Sequence, residues 1–366
     1  MSNITPMEVT IMPHGGDIYR NKVNIDMSVN LNPYPIPDSI FLALNIGIKA
    51  SKAYPDIDQQ SVRGALSSID DMDSSCCLAG NGASELIMAV TAAIAPKKAL
   101  IIGPAFSGYK RALSRLDDCE VRYIGLTEKN GFEFTIDAAG SIPADTDLIC
   151  IADPVSHTGK NIDDAVLDKI LDYSKEHGIS LILDESFFFL SERMGEYVRR
   201  DTAAYIKRCP ALYIIRSFTK LFALPGIRMG YLISQPENIE RVKRQLPEWN
   251  LNLPAQYCIQ ECAKLLKEGS FVYDSLKLIS KGRSVLKQGI LDAGYTVFDS
   301  DTVYLCFKAD PGLYGYMLGH GILIRDLKNE ECLGDGYYRI AVKTEAENAE
   351  FLRLLMNRAA GSTDGK

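Results

Sequence analysis

The sequence lacks a surplus of basic residues, a long apolar run and a regular cysteine pattern. Its 366 residues carry a formal net charge of −7, whereas a chain that binds nucleic acid usually has a basic excess. Because no window holds roughly 18 uninterrupted apolar residues, no membrane-spanning segment is predicted. The start of the chain also lacks a basic stretch followed by an apolar core, so no secretory leader is expected.

The nine cysteines are odd in number and scattered along the chain, several of them inside apolar runs. Cys76 and Cys77 are adjacent, and Cys258 and Cys262 are four residues apart, but no further Cys or His lies at ligand spacing from either pair. This distribution is typical of buried thiols in a reducing compartment. We therefore expect a cytoplasmic protein without a metal site.

Apolar runs alternate with helical patterns through the middle of the chain, which predicts an α/β fold. Continuous apolar runs suit strands that are covered on both faces, as in a parallel sheet. The runs lie at residues 98–102, 147–152, 180–183, 211–215 and 230–233. Helical patterns occur among them at residues 84–94, 163–177 and 237–245.

The pattern changes after Pro254, where helical stretches precede short strands and a final helix. The helical stretches are 256–267 and 273–293, the strands are 303–307, 322–325 and 338–342, and the last helix is 345–359. We predict a large domain of residues 45–255 with a mostly parallel central sheet flanked by helices. Residues 1–44 and 256–366 are predicted to form a smaller α+β domain with an N-terminal arm.

Polar, aromatic and glycine residues follow four of the predicted strands. Asp184 follows the strand at 180–183, and Lys220 follows the strand at 211–215 in the segment RSFTK. The segment DPVSHTG follows the strand at 147–152, and GPAF, which contains Phe106, follows the strand at 98–102. In an open α/β sheet, ligands bind beyond the carboxyl ends of the strands. These strand ends therefore predict one site at a single edge of the sheet.

The residue types at these strand ends suit pyridoxal phosphate (PLP). A desolvated lysine such as Lys220 can bind the cofactor's aldehyde covalently, and a buried carboxylate such as Asp184 can hold a proton on its ring nitrogen. An aromatic side chain such as Phe106 can stack on the ring. Taken singly, a helix-capping Asp, a surface Lys and a core Phe are the commoner interpretations, but their occurrence together in this order favours the cofactor site.

The cofactor phosphate needs donors from a helix N-terminus and a cation. The segment GNGAS precedes an alanine-rich helical pattern. The hydroxyl of Ser217 precedes the predicted lysine in the sequence, and the guanidinium of Arg228 follows it. The predicted phosphate ligands are Gly82, Ala83, Ser84, Ser217 and Arg228, and Thr219 is also predicted to bind the cofactor.

The segment SFTKLFALPGIRMGY at residues 217–231 resembles the lysine segment of the class I/II aminotransferase family. LILDESF, the Tyr54-Pro55-Asp56 segment and YYRIAVKTEAEN at residues 337–348 resemble further segments of that family. The resemblance implies a fold-type I PLP enzyme in which Arg339 binds the substrate carboxylate. It also implies a homodimer in which Tyr54 reaches the cofactor phosphate of the second copy.

Three further segments indicate a narrower group within that family. HGGDIY at 14–19 and SVNLNPYPIP at 28–37 are similar to threonine-phosphate decarboxylases of cobalamin biosynthesis, which are relatives of histidinol-phosphate aminotransferases. The segment ILIRD, with Arg325, resembles a decarboxylase segment that contacts the substrate. The resemblance implies loss of CO2 from an O-phospho amino acid, giving an amino-alcohol phosphate, with His14, Asn32, Arg325 and Arg339 orienting the substrate.

The chain departs from the family at the segment DPVSHTG, where members usually have N-P-x-N-P-T-G. Ser156 stands in place of the asparagine that bonds the cofactor's phenolic oxygen, and His157 replaces a proline. Phe187 stands where many members have a tyrosine. Two alternatives therefore stay open: an aminotransferase of the histidinol-phosphate type that uses the same residues, and a non-catalytic PLP-binding regulatory protein.

Overall fold

The computed structural model describes residues 15–194 and 201–363, with side chains described as far as residue 361. The strands in chain order are β1 (Ile25–Asp26), β2 (Cys77–Asn81), β3 (Lys98–Gly103), β4 (Glu120–Gly125), β5 (Leu148–Ala152), β6 (Ser180–Glu185), β7 (Leu212–Ser217), β8 (Met229–Ile233), β9 (Thr296–Val297), β10 (Tyr304–Lys308), β11 (Ile322–Leu323), β12 (Arg325–Asp326) and β13 (Tyr337–Ala341).

The helices connect these strands and cover the sheets. They are α1 (Asp38–Ala50), α2 (Gln60–Ser67), α3 (Ala83–Ile94), α4 (Ser107–Leu113), α5 (Ile136–Gly140), α6 (Asp164–His177), α7 (Thr202–Arg208), α8 (Phe218–Leu221), α9 (Pro236–Lys243), α10 (Leu253–Glu268), α11 (Ser270–Asp292), α12 (Leu313–Gly319) and α13 (Glu345–Thr363). Within the described ranges, none of these helices has the length and apolar character needed to cross a membrane.

A seven-stranded sheet in the order β2-β8-β7-β6-β5-β3-β4 forms the centre of the molecule. The pairs from β7 through β6, β5 and β3 to β4 are all parallel, while β8 runs antiparallel to both β2 and β7. The prediction of a mostly parallel central sheet flanked by helices is confirmed. The carboxyl ends of β3, β5, β6 and β7 therefore lie along one edge.

The unbroken apolar runs of the sequence are explained by burial on both faces of this sheet. In β6, Leu181 and Leu183 contribute to one buried cluster, whereas Ile182 between them contributes to the other. Side chains alternate between faces along a strand, so both faces need apolar residues when helices cover both. The strands at 77–81 and 120–125 were not predicted, because the first contains Gly and Asn and the second is only half-buried.

A second sheet, in the order β12-β13-β10-β9, is antiparallel, and β1 pairs separately with β11 in a parallel arrangement. The prediction of a single strand at 322–325 is therefore wrong in detail, because this segment forms two short strands. It divides at Ile324 into β11, which pairs with β1, and β12, which pairs with β13. The boundaries of the two predicted domains stay predictions.

Helix α1 was not predicted, and it packs closely against α10. A Cβ atom added at Gly47 would lie 2.5 Å from the Cα of Pro254, so only glycine allows the two helices this approach. Phe41, Leu42 and Ile48 remain exposed on α1. Because apolar residues occur on its exposed side as well as its buried side, the sequence of α1 does not show a clear helical periodicity.

Candidate active site

Lys220 lies in α8, one turn beyond the carboxyl end of β7. The turn is held by Ser217, whose hydroxyl accepts a bond from the backbone N–H of Thr219 at 3.2 Å. Burial, together with the charges of Arg339 and Arg228, lowers the pKa of Lys220 to about 8 against the opposing charge of Asp184. Roughly a tenth of its amine is therefore unprotonated at pH 7, far more than for an ordinary lysine, and this is the form that acts as a nucleophile.

Asp184 is the penultimate residue of β6 and is 6% exposed. Its Oδ2 accepts a 2.6 Å hydrogen bond from the hydroxyl of Tyr109, and its Oδ1 accepts a 2.9 Å bond from the backbone N–H of Ser186. Burial raises the pKa of Asp184, and the bonds from these two residues oppose that effect. Two donors thus hold the carboxylate in a buried environment. A cationic N–H placed beside it would meet few other hydrogen-bond acceptors there.

Tyr109 was missed by the sequence analysis, although it lies one turn along the helix from Phe106. It is fully buried, and burial together with the charge of Asp184 raises its pKa well above the ordinary value, so its hydroxyl is a donor. The rings of Tyr109 and Phe106 meet edge to face with centroids 5.9 Å apart. A Cβ atom at Gly108 would lie 2.1 Å from the Phe106 ring, so any larger residue at position 108 would clash with this ring.

The predicted phosphate ligands meet at the N-terminus of α3. Gly82 caps this helix at a φ of 77°, and the N–H groups of Ala83 and Ser84 in the first turn have no acceptor within the helix. A Cβ atom at Gly82 would lie 2.8 Å from Nη2 of Arg228, so the guanidinium closes directly over the glycine. Backbone donors and a cation therefore converge on one point.

The hydroxyls of Ser217 and Thr219, also predicted to bind the cofactor, both donate to the carbonyl of Met229 at 3.1 Å. They lie beside the same helix terminus, because a Cβ atom at Gly230 would be 2.8 Å from the N atom of Ala83. In this arrangement their hydrogen bonds hold β8 against α8.

Arg339 lies on β13 directly opposite Arg325 on β12. Its Nη1 donates to the carbonyl of Ser156 at 2.9 Å and lies 3.1 Å from Nδ1 of His157. Its guanidinium also lies 5.3 Å from the ring centre of Tyr304. Its Nε is buried and has no hydrogen-bond partner in the part of the chain that the structure describes. One edge of the guanidinium is thus anchored, and the Nε edge is available to a carboxylate.

Arg325 is buried and donates to Glu330 at 2.5 Å. Burial raises the pKa of Glu330, but the bonds and charges of His157 and Arg325 together bring it down to about 2. A cavity of about 120 Å³ lies beside Arg325, and its lining includes Gly15, Ser28 and Lys328. The predicted residue His14 lies outside the described residues.

The other predicted residues are placed as follows. The side chain of Asn32 donates to the carbonyl of Leu221 and to Ser275, both at 2.8 Å, so its amide holds the segment around Lys220. Tyr54 is 80% exposed and packs on Trp249 with ring centres 4.9 Å apart. Ser156 is buried and presents its carbonyl to Arg339.

The assembled residues fit PLP. The lysine has a depressed pKa, the carboxylate is buried and held by two donors, and the helix terminus under Arg228 leaves no room for a Cβ atom at residue 82. Lys220 would hold the aldehyde carbon, Asp184 the ring nitrogen, and Ala83, Ser84 and Arg228 the phosphate.

Comparisons with known proteins agree with this geometry. Residues 22–355 match the family described as aminotransferase class I and II. The chain is 30% identical over 354 residues to a threonine-phosphate decarboxylase of Salmonella typhimurium, covering 92% of each chain. It is 28% identical over 330 residues to a histidinol-phosphate aminotransferase of Pyrococcus furiosus, covering 89% of this chain and 90% of that protein. The structure of a histidinol-phosphate aminotransferase from Clostridium acetobutylicum matches with a TM-score of 0.83 and 28% identity, over 92% of this chain and 99% of that one.

Proposed function

The chain belongs to the class I and II aminotransferase family, whose cofactor is PLP, and from that premise we propose that it decarboxylates an O-phospho amino acid. The observation that carries the proposal is the position of Arg325 directly opposite Arg339 on neighbouring strands. An O-phospho amino acid has two anionic groups, a carboxylate and a phosphate, whereas histidinol phosphate has only the phosphate. Two arginines on one strand pair can bind both anionic groups of one such molecule, whereas an aminotransferase of the histidinol-phosphate type would meet the phosphate and the carboxylate on two different substrates.

In this proposal the residues of the chain divide the work between cofactor and substrate. The bound PLP supplies the sink for the electron pair left on the substrate's Cα when the bond to the carboxylate breaks. Asp184, anchored by Tyr109, holds the proton on the ring nitrogen. Arg339 binds the carboxylate and so fixes which Cα bond is aligned for cleavage, and Arg325 binds the phosphate. The Lys220 amine returns a proton to Cα.

The experiment that tests the proposal is incubation of the PLP-loaded protein with a panel of substrates. The panel contains several O-phospho amino acids and histidinol phosphate, and mass spectrometry detects amine and keto products separately. We expect an amino-alcohol phosphate and CO2 from O-phospho-L-threonine or a close analogue. A keto product that exceeds one equivalent per protein only when a 2-oxo acid is added as amino acceptor would instead establish the aminotransferase. No product from any compound would favour a non-catalytic PLP-binding protein.

We further propose a homodimer in which Tyr54 contacts the cofactor phosphate of the second copy. The proposal is supported by the exposure of Tyr54 and Trp249 beside the exposed apolar side chains of α1. Analytical ultracentrifugation tests the assembly, and Tyr54→Phe tests the contact, since it should weaken PLP binding without changing the sedimentation coefficient. A cytoplasmic location and a place in cobalamin biosynthesis belong to the same proposal and rest on the cysteine distribution and the resemblance.

A further inference from the structure

His157 occupies the place where the family usually has proline, and it joins the two arginines of the site. It is 4% exposed. Its Nδ1 lies 3.1 Å from Nη1 of Arg339, and its Nε2 lies 3.0 Å from the carbonyl of Ala105. The same Nε2 lies 3.5 Å from Oε2 of Glu330, whose other oxygen accepts from Arg325. A continuous polar chain therefore runs from Arg339 through His157 and Glu330 to Arg325.

The neighbours of His157 determine which ring nitrogen carries its proton. A guanidinium can only donate, so Nδ1 facing Arg339 must accept. The carbonyl of Ala105 and the carboxylate of Glu330 can only accept, so Nε2 must donate. The imidazole is therefore neutral, with its proton on Nε2. Burial lowers the pKa of His157, and the charge of Arg339 adds to this against the opposing effect of Glu330.

We propose that His157 is a positioning residue for Arg339. By accepting a hydrogen bond from Nη1, it holds the guanidinium so that the edge carrying Nε is presented to the substrate carboxylate. The carbonyl of Ser156 binds the same Nη1, so this corner is held from two directions. Nε is buried without a partner in the described residues, which leaves that edge for the carboxylate. The inference rests on the proposed function only in giving Arg339 the carboxylate.

The arrangement also makes carboxylate binding sensitive to pH. The charged groups that face His157 are Arg339 from β13 and Glu330 from the segment after β12, and the carbonyl of Ala105 faces it from the loop after β3. A second proton, on Nδ1, would point at an N–H of Arg339 and break the hydrogen bond. Because the pKa of His157 lies below its ordinary value of 6.5, this loss occurs on the acid side of that value.

Two substitutions distinguish the roles of the two ring nitrogens of His157. In His157→Asn, the amide lies near the place of Nδ1 and can still accept from Arg339. In His157→Gln, the amide reaches toward the place of Nε2 and can bond to Ala105 and Glu330, but the acceptor for Arg339 is lost. The Asn variant is therefore the matched control, because both variants remove the ring and only one removes the acceptor.

The ligands are chosen so that they cannot react with the cofactor. One is 3-phosphooxybutanoate, which is O-phosphothreonine without its amine, and the other is isopropyl phosphate, which lacks the carboxylate as well. Calorimetric titration of the PLP-loaded protein gives both dissociation constants. Loss of a hydrogen bond to a charged group predicts about 10- to 100-fold weaker binding of the carboxylate ligand to His157→Gln. Isopropyl phosphate should bind all three proteins equally, and His157→Asn should bind both ligands as the unmodified protein does.

The pH dependence and the tautomer provide independent readouts. As the pH falls below about 6.5, affinity for the carboxylate ligand, relative to isopropyl phosphate, should fall in the unmodified protein and stay constant in His157→Asn. The chain has four histidines, so ¹⁵N-histidine NMR resolves them, and the signal missing from His157→Asn identifies His157. We expect its Nδ1 to be unprotonated at neutral pH.

Three results would overturn the inference: equal loss of both ligands in His157→Gln, undiminished carboxylate affinity in that variant, or a protonated Nδ1 in the unmodified protein. The NMR result does not depend on the variants' stability or on the reaction. If the unmodified protein binds neither ligand, the phospho-amino-acid proposal fails, and the comparison is made with succinate, whose carboxylate Arg339 would still bind in an aminotransferase.

Discussion

Burying the amine of Lys220 costs stability in the cofactor-free protein, and replacing it should recover that stability. The difference between its ordinary pKa of 10.5 and a value of about 8 corresponds to about 3 kcal/mol, at 1.36 kcal/mol for each pH unit. Lys220→Met removes the charge and keeps most of the volume. At pH 7 we therefore expect the free energy of unfolding of the cofactor-free variant, measured by urea denaturation, to exceed that of the cofactor-free parent by up to about 3 kcal/mol.

The sign of the pH dependence makes this prediction specific. Below about pH 8 the lysine is protonated in both the folded and the unfolded chain, so the full cost is present. Between about pH 8 and 10.5 the folded protein has lost this proton while the unfolded chain still binds it, so the parent gains stability as the pH rises. The advantage of Lys220→Met should therefore shrink across that interval.

The assay is urea denaturation at several pH values and one protein concentration, with Lys264→Met as the matched control. The side chain of Lys264 is 63% exposed on α10, so its replacement by Met removes a lysine without removing a buried amine. Contributions from titrating groups that do not interact with residue 220 cancel in the difference between parent and variant. A difference for Lys220→Met that stays constant with pH would refute the argument, because only packing would then distinguish the two proteins.

Four further outcomes follow from the site. Borohydride reduction and peptide mapping should place the pyridoxyl group on Lys220, and label on another lysine would contradict the assignment. Asp184→Ala should lower turnover by at least about 100-fold while circular dichroism shows the fold intact, and near-normal turnover would reduce Asp184 to a structural role. Tyr109→Phe removes one bond to that carboxylate and should lower turnover by only about tenfold, as steady-state kinetics can show. Arg325→Ala should raise the Michaelis constant for phosphorylated substrates by about 10- to 100-fold and spare unphosphorylated analogues, whereas Arg339→Ala should weaken both, and equal losses in the Arg325 variant would refute its phosphate role.

The sequence was most informative where burial imposes a simple pattern. Parallel strands covered on both faces need continuous apolar runs, so β6 and β7 were evident, and their carboxyl ends located Asp184 and Lys220. The segment that contains Gly82 was recognisable for a similar reason, because a helix N-terminus beside a bound anion needs glycine and free N–H groups.

Features that depend on tertiary contacts could not be found in this way. Tyr109 lies in the short helix SGYKRAL, and nothing local distinguishes a buried tyrosine that donates to a carboxylate from an ordinary core residue. The division of the segment around Ile324 between two sheets depends on the strands it pairs with, β1 and β13. The network of His157 likewise joins residues from three distant parts of the chain.

The segment from β1 to Asn32 touches both halves of the site. Its strand pairs with β11, and Met27 accepts a backbone bond from Ala341 at the end of the Arg339 strand. Asn32 donates through its backbone to the carbonyl of Lys220 at 3.1 Å. A fixed length of chain, from β1 to Asn32, therefore connects the lysine segment to the strand that carries Arg339. One residue inserted between Asp26 and Asn32 would lengthen this connection. The length of the longest substrate that reaches from Lys220 to the arginines should then change.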